Sequence, residues 1–386
     1  MSTSSTPPAT GGLSQYAEHF VEPEGYLDFP RFGPPSADVV EFTHRLLGHA
    51  AHAGPDTVDR LMDQELRARQ AAARLIGLDP ARAATLDHVI LLPNASLGLF
   101  HAALGLPDGL VLVPEREFPA NLYPWERSAA LGRARAVPLR PDPEGRITPD
   151  LVRAALTPEV VALSVSAVDY RTGFRADLAA LREVLGPDRL LVVDAIQGMG
   201  VTENAWTAAD VVVTGGQKWL RAGWSTGFLY ASAEALERLE PVLTGWTGVQ
   251  DAGLFDGAVH PAAEGAQRFS VTNLSPVTAG AFAEALELVL RAGVPRIAAH
   301  IAQRTAEIAD TVRAAGGVVL SPEAPHERAG IVAFAMPGLD PAAVTASLRD
   351  HGLTLTARPD QFRASAHAST TLATVDRLLA ALTAAR

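Results

Sequence analysis

An aspartate and a glutamine three residues apart, Asp194 and Gln197, stand about twenty residues ahead of Lys218. Asp194 directly follows the apolar run 190–193, which reads as a buried strand. Its carboxylate therefore falls at a strand's carboxyl end, where open α/β sheets bind ligands. A carboxylate there suits pairing with a protonated ring nitrogen, and Gln197 can address the same ligand from a neighbouring position. Lys218 sits in Thr214-Gly-Gly-Gln-Lys-Trp-Leu, just beyond another apolar run and before two large apolar residues. Desolvation there lowers the amine's pKa and makes it a usable nucleophile, while the glycines let the backbone approach a ligand closely. Each residue also has a plainer reading. Asp194 alone is a cap for the turn after its strand, and Lys218 alone is a loop lysine in water. Their occurrence together, with Gln197, favours the chemistry.

The elements that must position these groups alternate short apolar runs with amphipathic stretches, the signature of βαβ units and a mainly parallel sheet. Strands are expected at 89–93, 110–114, 160–165, 190–193, 211–214 and 227–230, with a helical stretch through 106 after the first and a helix at 177–185. After Pro276 the texture changes: helices at 279–292, 300–315, 341–350 and 372–385 surround a strand at 330–335, the pattern of a small α+β domain. The expected organisation is a flexible tail over 1–20, a large α/β domain over 21–275 and a small C-terminal domain over 276–386.

Composition narrows the function classes. Of 386 residues, 48% are hydrophobic and 19% charged, enough for a sizeable core. The formal charge of −11 provides no basic field for sequence-independent nucleic-acid binding. The start lacks a basic and apolar leader, and no apolar run approaches the roughly 20 residues that span a bilayer. A soluble cytoplasmic protein acting on a small molecule is expected. The absence of cysteine excludes disulfides, thiolate metal sites and cysteine nucleophiles. His44, His49 and His52 share an expected helix but lack a metal-ligand spacing, and no metal is expected. No Gly-x-Gly-x-x-Gly follows the first clear strand, which argues against a dinucleotide-binding dehydrogenase.

A strand followed by Asp-x-x-Gln, then a small-residue strand end and Lys-Trp-Leu, resembles the fold-type I pyridoxal-phosphate enzymes of the class V aminotransferase group, which includes the cysteine desulfurases. The resemblance covers roughly residues 25–386. It implies a large domain on a seven-stranded mixed sheet and pyridoxal 5'-phosphate as cofactor. It further implies that Lys218 carries the cofactor as a Schiff base and shuttles the proton at the substrate α-carbon. Asp194 pairs with the pyridinium nitrogen and Gln197 with the phenolic oxygen. Ala95, through its backbone, and Ser96 match the turn that binds phosphate at a helix N-terminus, a place favoured by free N–H groups and the helix dipole. Thr214 and Gln217 match further phosphate ligands, Phe118 the ring that stacks on the cofactor, and Thr172-Gly173 a turn near it. Arg363 matches the arginine that grips the α-carboxylate. Arg268-Phe269 with Thr272 and Asn273 resembles the segment that reaches the neighbouring subunit's phosphate, implying a homodimer with shared active sites.

Departures from the pattern limit the activity. The stretch 353–361 lacks the cysteine that desulfurases use as a persulfide carrier, as does the whole chain, so persulfide-forming desulfuration is excluded. Phe118 and Gln217 replace two histidines of the desulfurases, and Ala167 replaces an asparagine. Asp169-Tyr-Arg-Thr-Gly173 is similar to the kynureninase branch, but the pattern after the ring-nitrogen aspartate is not. Arg171 there reads either as an anion contact or as a solvated turn residue. His101 reads as a packed helix residue. Trp125, Trp219, Trp224 and Trp246 read as core by default, with pocket lining as the alternative. The expected activity is amino-acid chemistry at Cα, of an aminotransferase in the first place. A β-eliminating C–S lyase and an epimerase follow from the same start, and a cofactor-less binding homologue is the non-enzymatic alternative.

Overall fold

The computed structural model describes residues 11–82 and 84–386. The described residues begin with three helices, α1 (Gly11–Glu18), α2 (Ala37–Ala51) and α3 (Thr57–Leu75). Strands and helices then alternate: β1 (Val89–Leu91), α4 (Ala95–Gly105), β2 (Leu110–Pro114), α5 (Tyr123–Ala130), β3 (Arg135–Leu139), α6 (Pro149–Ala155), β4 (Val160–Ser166), α7 (Leu178–Leu185) and β5 (Leu190–Asp194). β6 (Val211–Gly215), β7 (Gly227–Ala231) and α8 (Ala233–Arg238) complete the run. The described residues form a seven-stranded sheet in the order β1-β7-β6-β5-β4-β2-β3. Its β3, β2, β4, β5 and β6 are parallel, and β7 runs antiparallel to both β6 and β1.

Burial on both faces explains the near-continuous Val and Leu of the central strands. Leu191, Val193 and Val212 face one core with the alanines of α3, whereas Leu190, Val192, Val211 and Val213 face another with Leu99 and Ala102 of α4. The period of two within each strand produces this division.

The remainder comprises α9 (Pro276–Ala292), α10 (Val294–Ala314), β8 (Val318–Val319), β9 (Ile331–Ala335), α11 (Pro341–Asp350), β10 (Thr356–Ala357), β11 (Phe362–Ser365) and α12 (Leu372–Ala384). Strands β10-β11-β9-β8 form a second, antiparallel sheet. Its core joins Ile308, Phe334, Leu348, Phe362 and Leu378. The large mainly parallel sheet with a smaller second sheet is the architecture of fold-type I pyridoxal-phosphate enzymes.

Packing among the described residues crosses the expected division of the chain. Residues 1–10 of the expected tail lie outside the described residues, but Gly11–Glu18 is helical and its Tyr16 is buried, because an aromatic ring on that turn packs against the large core. Helix α9, expected in the small domain, buries Ala279, Phe282, Leu286 and Val289 in the large core beside α3. Conversely Leu27 belongs to the small core, since Leu27 N–H donates to the Thr354 carbonyl at 2.8 Å. The chain thus touches the small domain before it builds the large one. No helix of the described residues is long and apolar enough to cross a membrane.

Candidate active site

A cavity of about 520 Å³ opens where the carboxyl ends of β5 and β6 meet the β10–β11 hairpin. Asp194 closes β5 and faces Ser166 of β4 and Val213 of β6 in register. Lys218 lies in the loop between β6 and β7, and Phe118 lies four residues beyond β2. Arg363 comes from β11 in the small domain. All four line the cavity together with Gln197, Gln217, Ala95 and Ser96.

Burial dominates the electrostatics. Asp194 is 2% exposed, and desolvation raises its carboxyl pKa, opposed by the Ile196 N–H that donates to Oδ1 at 3.0 Å and by the Lys218 charge. Desolvation pushes Lys218 down to about 8, helped by Arg363 and opposed by Asp194. Its Nζ lies 5.3 Å from the centroid of the Phe118 ring. The segment before α2 packs against the lysine loop: Gly33 N–H donates to the Gln217 carbonyl at 2.9 Å, and a Cβ on Gly33 would stand 1.9 Å from the Lys218 carbonyl oxygen. Only glycine fits there.

Gln197 is pinned from two sides, its Nε2 donating to the Pro30 carbonyl at 3.0 Å and its Oε1 accepting from Trp219 Nε1 at 2.7 Å. One amide N–H is left over for a ligand. At the start of α4, Asn94 Oδ1 accepts from Leu97 N–H at 2.9 Å, and the N–H groups of Ala95 and Ser96 precede the first intrahelical donors. That turn is built for an anion.

The Arg363 guanidinium is buried. Its NH1 donates to the Tyr170 carbonyl at 2.7 Å, its NH2 to Thr356 Oγ1 at 3.0 Å, and NH2 lies 3.5 Å from Asp28 Oδ1. Its Nε has no partner among the described residues. Behind the site, Glu117 accepts from the backbone N–H and hydroxyl of Ser166, and desolvation pushes its carboxyl up to about 7.

Two expected cofactor ligands, Thr214 and Thr172, do not line this cavity. Thr214 does not line the cavity: alternation along β6 turns it to the face of Val212, where it is fully buried and its Oγ1 has no partner among the described residues. Thr172 is likewise outside the lining, held in a turn by its N–H and hydroxyl donating to Asp169 Oδ1 at 2.8 and 3.1 Å. Arg171 pairs with Asp169 at 2.9 Å in that turn, and its neighbour Tyr170 faces the cavity instead. Thr272 and Asn273, expected to reach the neighbouring subunit's phosphate, are exposed before α9, with Thr272 Oγ1 accepting from Trp246 Nε1 at 3.2 Å. Trp125 and Trp219 are core residues, whereas Trp224 lines the cavity and stacks on Phe32 at 5.8 Å. His101 packs beside Phe269, and burial lowers it to about 4. Sequence reasoning missed Arg31, Tyr170, Thr356 and Arg358, all of which line the cavity.

Residues 38–372 match the family model described as Aminotransferase class-V. The chain belongs to that family. Among its relatives, an uncharacterized aminotransferase of Bacillus subtilis, YcbU, is 29% identical over 241 residues, 61% of either chain. An isopenicillin N epimerase of Streptomyces clavuligerus is 28% identical over 371 residues, covering 88% of this chain and 90% of its own. A variant of the lyase C-DES, with glycine covalently linked to its PLP cofactor, matches with a TM-score of 0.84 at 21% identity over 98% of this chain and 99% of its own.

Class V aminotransferases are pyridoxal-phosphate enzymes, and that cofactor fits the residues present. The α4 turn offers its first-turn N–H groups to a phosphate, Asp194 a buried carboxylate to a ring nitrogen, and Lys218 an amine of lowered pKa to a carbonyl. Phe118, 41% exposed although large and apolar, presents its ring to the cavity with Tyr170 edge-on at 5.2 Å.

Proposed function

We propose that the protein is an aminotransferase acting at the Cα of an amino acid, with pyridoxal phosphate attached through Lys218 as a Schiff base. The observation that carries this reading is the convergence of Lys218, Asp194, Phe118 and Arg363 on one cavity. When bound, the cofactor ring accepts the electron pair left by a bond breaking at Cα. Asp194 holds the proton on the ring nitrogen. Arg363, which lines the cavity, grips the α-carboxylate and so fixes the orientation of the Cα bonds. Lys218 Nζ takes the Cα proton. Phe118 has no proton to exchange, so the traffic rests on Lys218, and a single base suffices for transamination.

An epimerase is the second reading. It is favoured by Tyr170, a phenol on the same cavity able to act as a second proton carrier, and by the similarity to isopenicillin N epimerase over most of both chains. The experiment is to add single L-amino acids to the purified holoenzyme without an acceptor, in D2O, while following its visible absorbance. One equivalent of keto acid per subunit with a bleached band supports transamination. Deuterium at Cα with inversion and no keto acid supports the epimerase, and pyruvate with a released side-chain fragment a lyase. No visible band, even with added pyridoxal phosphate, overturns the enzyme reading.

A homodimer with shared active sites is part of the same proposal. Supporting it, Trp246, Leu254, Phe255 and Val259 are exposed on one stretch of chain and Thr272 lies against Trp246, an apolar surface of the kind that marks an interface. Light scattering reads the mass directly, and a monomer at micromolar concentration overturns it.

A further inference from the structure

The cavity carries two guanidinium groups to which the chemistry at Cα assigns no partner. Its charged lining residues are Lys218, Arg31, Arg358 and Arg363 against Asp194 alone. With the cofactor in place, Asp194 would face the ring nitrogen, the neutral N–H groups of the α4 turn would hydrogen-bond the phosphate, and Arg363 would face the substrate α-carboxylate. Arg363 is moreover already faced by Asp28 from behind. Arg31 and Arg358 remain, and neither makes an ion pair with any carboxylate among the described residues.

Arg358 stands five residues before Arg363 on the β10–β11 hairpin, and the two share Tyr170. Arg363 binds the Tyr170 carbonyl at 2.7 Å, and the Arg358 guanidinium lies 5.7 Å from the Tyr170 ring centroid. Two guanidinium groups bracketing one tyrosine, both open to one cavity, suit two carboxylates on one small molecule. A guanidinium is the side chain best shaped for planar carboxylate recognition.

We propose that Arg358, assisted by Arg31, binds a second carboxylate at the end of the substrate's side chain, so that the enzyme acts on dicarboxylic amino acids. This rests on the assignment of Lys218 and Arg363 made above.

The test is calorimetric titration of the holoenzyme with glutarate and with butyrate, which carry two carboxylates and one but no amine to react. A charge-assisted hydrogen bond makes glutarate bind roughly 10- to 100-fold more tightly. Arg358→Gln removes most of that gap and Arg31→Gln a smaller part. L-Glutamate should likewise shift the visible band at lower concentration than L-glutamine, a comparison that needs no variant. Equal affinity for the two acids, or an Arg358→Gln protein that keeps its band and the gap, overturns the proposal alone. A holoenzyme without any visible band overturns the reading beneath it.

Discussion

Glu117 and Ser166 are joined twice, the backbone N–H of Ser166 donating to one carboxylate oxygen at 2.6 Å and its hydroxyl to the other at 2.5 Å. Ser166 is also the register partner of Asp194, so the carboxyl of Glu117 ties the residue before Phe118 to the strand beside the cofactor site. Desolvation raises its pKa from 4.5 to about 7 despite those bonds, with Asp194 and Asp169 pushing the same way. A carboxyl whose folded pKa is raised contributes stability that is full below its unfolded value and is lost as pH rises through the folded value. From pH about 4.5 to above 7 that loss is on the order of 3 kcal/mol. Glu117→Gln imitates the protonated form. It should match the native protein in urea unfolding at pH 5 and exceed it at pH 8; parallel curves at the two pH values would count against a buried protonated acid.

Lys218→Ala should abolish covalent capture of pyridoxal phosphate, read as the absence of a borohydride-fixed mass increase on the peptide, while the thermal midpoint holds. In the native apoprotein only the neutral amine attacks a carbonyl. With a pKa of about 8, capture should therefore accelerate as pH rises from 6 to 8 and level off above that. A rate still climbing tenfold per unit beyond pH 9 would indicate an unshifted lysine.

Phe118 is exposed, so removing its ring leaves no cavity in the core. Phe118→Ala should keep the unfolding midpoint within error. The loss of one aromatic stack, about 0.5–1.5 kcal/mol, should weaken cofactor retention by roughly 2- to 10-fold. Equilibrium dialysis of the holoenzyme measures this, and a drop in stability with unchanged retention would place the ring in packing instead.

The groups legible in sequence were those whose chemistry is local. Asp194 at a strand end, Gln197 three residues on and Lys218 in a glycine-flanked loop all line the cavity. What was not legible depends on facing or on distant folding. Thr214 is one residue off in a strand, and in a period-two element that reverses its face. Tyr170 and Arg171 are adjacent, and only the capture of Arg171 by Asp169 decides which one turns to the ligand. Arg31 and Arg358 meet only because the segment before α2 crosses between the domains, as Leu27 in the small core shows. Helix α9 carries an apolar face, but no pattern within it says which sheet that face covers.

Arg221 and Glu22 form a buried ion pair, with side chains 1% and 7% exposed, and it fastens the N-terminal segment to the lysine loop. Arg221 sits three residues after Lys218 at φ 56°, a left-handed conformation unusual for a side-chain residue. Its guanidinium also donates to the Pro34 carbonyl at 2.7 Å and Ser369 Oγ at 3.1 Å, and covers the Phe20 ring at 3.5 Å. Burial lowers its pKa, and Glu22 opposes that. Truncating one member leaves the other charged and buried, so Arg221→Ala should destabilise by about 3–5 kcal/mol. Arg221→Met with Glu22→Leu removes both charges and should recover much of that loss. The guanidinium bonds also tie the lysine loop to the Pro34 carbonyl and Ser369, contacts that methionine cannot replace. The double variant should therefore regain its unfolding midpoint while cofactor capture at Lys218 stays slower than in the native protein. Full recovery of both would mean that the pair serves packing alone and does not position the lysine loop.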